Sequence, residues 1–182
     1  MARVRSTGLY RSTFNFGATT FDLTDTGGER SERKKWIKFR EGDEVPDLVL
    51  FAVDISAYDL VLYEDHTSNR MQEDLALFET MINSKWLAKT RFILIFTKMD
   101  IFERKILKNP IKDYFPDFAG DETSPDDTKY YIGNRFLSLN RDEANEIKTM
   151  YTSFSGGYNE STRLVLNVIT SQLSLGPRGD TV

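Results

Sequence analysis

The sequence predicts an α/β fold in which a mostly parallel sheet lies between helical layers. Two continuous apolar runs, residues 47–54 (DLVLFAVD) and 90–100 (TRFILIFTKMD), each end in aspartate, which is typical of strands buried on both faces of a parallel sheet. Between them, apolar residues recur at helical spacing: Met71, Leu75, Phe78 and Ile82. A crossover helix is therefore expected to cover the sheet, and ligands of such folds bind at the carboxyl ends of the strands.

The remaining elements follow from local patterns. Residues 10–16 and 18–25 are β-rich and meet at Gly17, which predicts an antiparallel hairpin at the start of the chain. Three later elements are expected in order: a helix over 125–140 begun by Pro125, a short strand over 150–155, and an amphipathic helix over 160–175 ended by Gly176 and Pro177.

Composition limits the classes of function. A chain of 182 residues with 40% hydrophobic content suits a single domain over 1–182. The net charge of −4 argues against a nucleic-acid partner, because binding to phosphate backbones requires a dominant basic surface. Without cysteine there is no disulfide and no thiolate metal site, and the longest apolar runs are too short to span a bilayer. A soluble protein is expected.

Several segments together carry a family resemblance. RVRSTG, DTGGERSERKKW, YDLVLYEDHTSNRM, FTKMD and YIGNRFLSLN occur in the order and spacing of heterotrimeric G-protein α subunits, and the resemblance runs from about residue 3 to about residue 173. It implies a three-layer Ras-like GTPase fold of the P-loop NTPase type. It also implies a guanine-nucleotide switch in receptor-coupled signal transduction, which binds a βγ dimer in the GDP form and an effector in the GTP form.

The resemblance assigns functional segments along the chain. These are switch I at 3–9, switch II at 25–39, switch III at about 64–74, and base-recognition segments at 97–100 and 155–157. Arg3 falls at the internal arginine finger, whose cation neutralises charge on the transferred phosphoryl group; from the residue alone, an exposed cationic tail is the other interpretation. Ser6 stands at the hydroxyl that binds Mg²⁺, and with Thr7 and Gly8 it contributes nucleotide contacts.

The second switch carries the sensor of the γ-phosphate. Asp25 matches the acid that holds Mg²⁺ through water, although a strand-terminal aspartate is also a common helix cap. Gly28 matches the glycine whose amide meets the γ-phosphate, where only glycine leaves room for that approach. The resemblance places Arg3 and Glu29 at the catalytic centre. Arg3 matches the family residue, whereas Glu29 replaces the glutamine that orients the attacking water.

A charged helix follows this sensor. Residues 30–36 hold four cationic residues and Trp36, and the resemblance makes them the switch helix that docks on the β subunit. A charge run is usually a solvated face, but an exposed tryptophan inside one favours an interface. The residues expected to contact a βγ dimer, effector or regulator are Leu9, Arg33, Lys35 and Trp36.

Guanine selection is assigned to the TKMD segment. Asp100 would accept two hydrogen bonds from the guanine edge, which adenine cannot donate, and the stem of Lys98 would lie along the base. Thr97 replaces the family's asparagine, which mainly braces the phosphate loop. Gly157, in the second base-contacting loop, can still offer its backbone amide.

The departures from the family leave three interpretations open. The 182 residues contain no G-x-x-x-x-G-K-[ST] phosphate loop, and the strand that precedes that loop in the family, between those expected at 19–24 and 47–53, is missing with it. The chain is therefore a nucleotide switch and GTPase, a non-catalytic module that binds βγ or a regulator, or a piece of a longer subunit. The tail at 176–182 argues against receptor coupling. A cytoplasmic location is expected, at the inner face of the plasma membrane through partners only.

Overall fold

The computed structural model describes residues 9–16, 19–27, 45–63, 66–154 and 160–175. The chain forms two compact units, Met1–Val45 and Pro46–Val182. Within the described ranges, no helix combines the length and the apolar character needed to cross a membrane.

The first unit contains the predicted hairpin. Its strands are β1 (Leu9–Phe16) and β2 (Thr19–Thr26), which pair antiparallel. Phe14 and Phe21 are direct cross-strand neighbours, and their rings stack with centroids 5.3 Å apart. Such aromatic pairs stabilise two-stranded ribbons. The residue expected to turn the hairpin, Gly17, lies outside the described residues.

The second unit is built on a parallel sheet. Its strands, in the order β3-β4-β5, are β3 (Leu48–Asp54), β4 (Arg91–Thr97) and β5 (Lys148–Tyr151). The crossover helix α1 (Arg70–Ile82) connects β3 to β4, as the apolar spacing predicted, and buries the four residues that define that spacing. It begins where the side chain of Asn69 accepts a hydrogen bond from the amide of Gln72, at 3.1 Å.

The central strand β4 is buried on both faces, because its side chains alternate between two hydrophobic cores. Phe92, Leu94 and Phe96 point into the larger core, and Ile93 and Ile95 point into the smaller one. All five are at most 5% exposed. This explains why the strand has no polar alternation in the sequence.

Three further helices complete the unit. They are α2 (Met99–Ile106), α3 (Pro125–Leu137) and α4 (Glu160–Leu173). α1, α2 and α3 pack on the larger core, where Phe136 of α3 is fully buried, whereas Val165 of α4 packs on the smaller core. Helices therefore cover both faces of the sheet, and the predicted three-layer α/β class is confirmed.

Several element boundaries differ from those expected from the sequence. The fifth strand begins at Lys148 and ends at Tyr151 instead of spanning 150–155, because its limits are set by pairing with β4. α3 ends at Leu137, three residues early, and α4 ends at Leu173, before the glycine and proline expected to stop it. The sequence patterns did not predict α2.

β2 and β3 are both edge strands of their sheets. Among the described residues, β2 pairs only with β1, and β3 pairs only with β4. An edge strand has one row of backbone groups without ladder partners.

Candidate functional site

The carboxyl ends of the three parallel strands bring the base-recognition segment together with two other loops. Asp54, the last residue of β3, is the register partner of Thr97, the last residue of β4. On the other side of β4, Phe96 pairs with Tyr151 at the end of β5. Residues 97–100 therefore lie between the segments that follow β3 and β5, at the edge where parallel sheets bind ligands.

The turn from β4 into α2 is made by Lys98 in a left-handed conformation. Its φ of 61° and ψ of 38° make it the one non-glycine residue with positive φ in the described part of the chain. This conformation costs a side-chain-bearing residue about 1–2 kcal/mol. The carbonyl of Lys98 then accepts the first helical hydrogen bonds, from the amides of Ile101 at 3.1 Å and Phe102 at 3.0 Å. The turn thus starts the helix immediately after the strand.

The side chain of Lys98 reaches back to β3. Its Nζ lies 2.5 Å from Oδ2 of Asp54, whose side chain is only 12% exposed, against 52% for the lysine. Burial raises the pKa of Asp54, but the hydrogen bonds from Lys98 and Ser56 and the nearby cations outweigh it and hold the pKa below its ordinary value. Asp54 is therefore a carboxylate at neutral pH.

The loop after β5 accepts hydrogen bonds from the first backbone amides of α2. The amide of Asp100 donates to Oγ of Ser153 at 3.0 Å, and the amide of Met99 donates to the carbonyl of Thr152 at 3.3 Å. The amide of Thr152 in turn donates to the carbonyl of Phe96 at 2.8 Å. The base-recognition turn is thus fixed on this side by hydrogen bonds.

The carboxylate of Asp100 is available as an acceptor. Its side chain is 45% exposed and lies 3.9 Å from a guanidinium nitrogen of Arg104, one helical turn further on. An exposed ion pair at this separation contributes little to stability. Asp100 thus presents two carboxylate oxygens at the open edge of the sheet.

Thr97 serves the sheet. Its Oγ1 donates to the carbonyl of Val53 at 3.1 Å and so joins the ends of β4 and β3. Its hydroxyl occupies the position that the sequence resemblance gives to an asparagine that braces the phosphate loop. In this chain the side chain braces a neighbouring strand.

A mostly buried polar network connects α2 to the segment that follows β3. Lys105 of α2 donates to the carbonyl of Ser56 at 2.9 Å and forms an ion pair with Asp59, whose side chain is 5% exposed. Asn109 donates to the other oxygen of Asp59 at 2.7 Å. These contacts connect the segment after β3 to the carboxyl-terminal end of α2 and so fix the position of α2 relative to β3.

Asp54, Ser153 and the Asp59 network were missed as functional residues by the sequence reasoning. The sequence marked Asp54 only as a polar strand end, and it contains no signal for the contact with Lys98, which lies 44 positions away. Ser153 was visible only as part of a segment expected to be a strand.

The other predicted site residues fall elsewhere. Leu9 begins β1 opposite Thr26, and Asp25 lies near the end of β2 opposite Tyr10, both in the first compact unit. The remaining predicted site and interface residues lie outside the described residues: Arg3, Ser6, Thr7, Gly8, Gly28, Glu29, Arg33, Lys35, Trp36 and Gly157.

The magnesium expected from the resemblance is not matched by a donor set in the described ranges. These residues contain no group of three or more histidine, aspartate or glutamate side chains that could hold a metal ion. Of the two residues assigned to the ion, only Asp25 is described.

The chain is an α/β protein in which the turn at residues 97–100 lies at the carboxyl edge of a parallel sheet, where proteins of this class bind ligands. A sequence model of the G-protein alpha subunit matches residues 1–171. The chain belongs to the G-protein alpha subunit family.

Curated proteins similar to this chain include three from fungi. The chain is 46% identical over 153 residues to a guanine nucleotide-binding protein subunit alpha of Cochliobolus heterostrophus and, over the same length, to the G-protein complex alpha subunit gpaA of Aspergillus fumigatus. It is 45% identical over 151 residues to the guanine nucleotide-binding protein alpha-1 subunit of Neurospora crassa. Each alignment covers 83% of this chain and 42% of the relative, so the chain spans about two-fifths of their length.

Proposed function

We propose that this chain contains the guanine-recognition part of a G-protein α-subunit switch. The supporting observation is the position of Asp100 directly after the left-handed turn at Lys98, with its amide bound to Ser153 and its carboxylate exposed. Family membership makes a guanine nucleotide the corresponding ligand.

Selectivity follows from the donors and acceptors on each base. Guanine presents a ring N–H and an exocyclic amino group on one edge, and the carboxylate of Asp100 can accept from both. Adenine has an unprotonated ring nitrogen and no amino group at the matching positions. It would place an acceptor against the carboxylate, leaving both carboxylate oxygens without a donor.

GTP hydrolysis belongs to the proposal for the whole switch. Arg3 would neutralise charge on the phosphoryl group, Ser6 and Asp25 would hold Mg²⁺, and Glu29 would stand beside the attacking water. A G-protein βγ dimer and an effector or regulator are the proposed partners, through Leu9 and the switch helix. These partners would place the protein at the inner face of the plasma membrane.

A non-catalytic binding module is the second candidate. The observation that favours it is glutamate at position 29, where the family resemblance places the glutamine that orients the attacking water. Such a module would engage βγ or a regulator without turning over GTP.

Titration of the isotopically labelled chain with nucleosides tests guanine recognition directly. Guanosine is expected to shift the amide resonances of Met99, Asp100 and Ser153, and adenosine is expected to leave them in place. Asp100→Asn should change the preference from guanosine to xanthosine, because its amide can donate to the extra carbonyl of xanthine.

A matched control exchanges the same groups on another helix. Asp126→Asn, in the first turn of α3, removes an aspartate that pairs with Lys129 and should leave the guanosine response unchanged. Equal responses of the wild-type chain to guanosine and adenosine, or no response to either, would overturn the proposal.

A further inference from the structure

Asp54 uses its two carboxylate oxygens for two different structural purposes. Oδ1 accepts from the amide of Ser56 at 3.2 Å and from its hydroxyl at 2.6 Å, which caps the short 3₁₀ turn after β3. Oδ2 accepts only from Nζ of Lys98 among the hydrogen bonds of the described residues. The cap and the ion pair can therefore be removed separately by substitution.

The ion pair joins the ends of two strands across the base-recognition turn. Lys98 directly follows Thr97, the register partner of Asp54, and its side chain folds back toward β3. Without a partner, a half-exposed lysine would gain freedom in water, and nothing in its side chain would favour the left-handed backbone. The mostly buried carboxylate gives the cation a fixed position.

We propose that Asp54 is a positioning residue of the guanine subsite, which holds Lys98 in its left-handed turn and so sets the start of α2 at Asp100. The inference rests on the proposed function, because it assigns Asp54 to that same site. In this chain an acid on the neighbouring strand holds the cation.

Asp54→Asn isolates the ion pair. The Asn side-chain oxygen can still accept from Ser56, whereas its NH₂ group cannot accept from the lysine ammonium. Ser56→Ala is the matched control, because it removes the hydroxyl bond to Oδ1 and leaves the ion pair intact. Both substitutions alter the same carboxylate environment, and only the first should disturb the turn.

Hydrogen exchange and guanosine titration of the full 182-residue chain provide the two readouts. In Asp54→Asn the exchange protection of the Met99 and Asp100 amides should fall about three- to tenfold, the scale of one partly exposed charge-assisted hydrogen bond, with a similar rise in the Kd for guanosine. Ser56→Ala should change neither quantity. Added salt should weaken protection in the wild-type chain and have little effect in Asp54→Asn.

A rescue variant tests the role of the backbone conformation. Glycine adopts positive φ without the side-chain penalty, so Asp54→Asn combined with Lys98→Gly should restore the protection of the Asp100 amide. A purely global loss of stability would not be repaired in this way.

The outcomes separate the two proposals. A wild-type chain that does not respond to guanosine overturns the proposed function. A wild-type response that persists unchanged in Asp54→Asn, with unchanged exchange protection, overturns the role of Asp54 alone. Equal losses in Asp54→Asn and Ser56→Ala would also overturn it, because they would assign the effect to the cap.

Discussion

Gly133, in the middle of α3, is expected to reverse the usual effect of a helical glycine-to-alanine substitution. At an unconstrained helix position, this change stabilises a protein by about 1 kcal/mol. A Cβ on Gly133 would lie 2.1 Å from Oη of Tyr151, which is far inside contact distance. Because the ring of Tyr151 stacks on Phe96 with centroids 5.0 Å apart, the hydroxyl cannot simply swing away.

The magnitude follows from these two opposing contributions. Overpacking typically costs about 1–3 kcal/mol. Set against the helix propensity gain of about 1 kcal/mol, Gly133→Ala should lower the free energy of unfolding by as much as about 2 kcal/mol. In a Tyr151→Phe background the nearest remaining atom is the ring Cζ at 3.4 Å, an ordinary contact. There the same substitution should raise the free energy of unfolding by about 1 kcal/mol.

Urea denaturation followed by far-ultraviolet circular dichroism measures all four proteins of this double-mutant cycle. Tyr151→Phe is its own control, since it removes only the hydroxyl and the 3.3 Å hydrogen bond to the carbonyl of Lys129. If Gly133→Ala stabilises both backgrounds equally, the contact with the tyrosine hydroxyl does not limit this position and the reasoning is wrong.

Three further predictions concern charges. Lys105→Met should destabilise the chain by about 3–5 kcal/mol in urea unfolding, because it leaves the Asp59 carboxylate buried without its cation; adding Asp59→Asn should recover part of this loss. Although burial opposes the shift, the pKa of Asp54 is lowered, so its contribution to stability is present above the ordinary value of 3.8 and is lost as the pH falls further. The stability difference between wild type and Asp54→Asn should therefore narrow from pH 7 to pH 3. In a chimera carrying the amino-terminal half of a fungal relative, Glu29→Gln should accelerate single-turnover GTP hydrolysis about a hundredfold and Arg3→Ala should slow it. An unchanged rate in Glu29→Gln with nucleotide bound would show that Glu29 is misassigned.

The parts of the fold that could be predicted are those determined by local periodicity. β3, β4 and α1 are long segments with a single clear pattern, and all three elements form where they were predicted, although β4 ends at Thr97, three residues before the end of its apolar run. α2 was missed because it has only eight residues and begins at a left-handed lysine, which no sequence pattern marks. β5 was misplaced because four residues carry too little periodicity, so pairing decides its limits.

The candidate site was predictable to the extent that its residues form a contiguous motif. TKMD fixed the location of Lys98 and Asp100 at a strand end, and the structure places them there. The partners of these residues, Asp54 and Ser153, lie 44 and 53 positions away along the chain. Such contacts depend on which strands become neighbours, and a single sequence contains no record of that.

The alternating burial of β4 has a consequence for how this gene can change. Loss of a single codon within the strand would shift its register by one and exchange the two faces. Phe92 or Phe96 would then have to fit beside α4, where the neighbours are Val165 and the aliphatic side chains of a much smaller core. Loss of two codons leaves each remaining side chain facing its original core and only shortens the strand. Length variation among descendants of this sequence should therefore be rare in β4, and where it occurs it should come in steps of two residues.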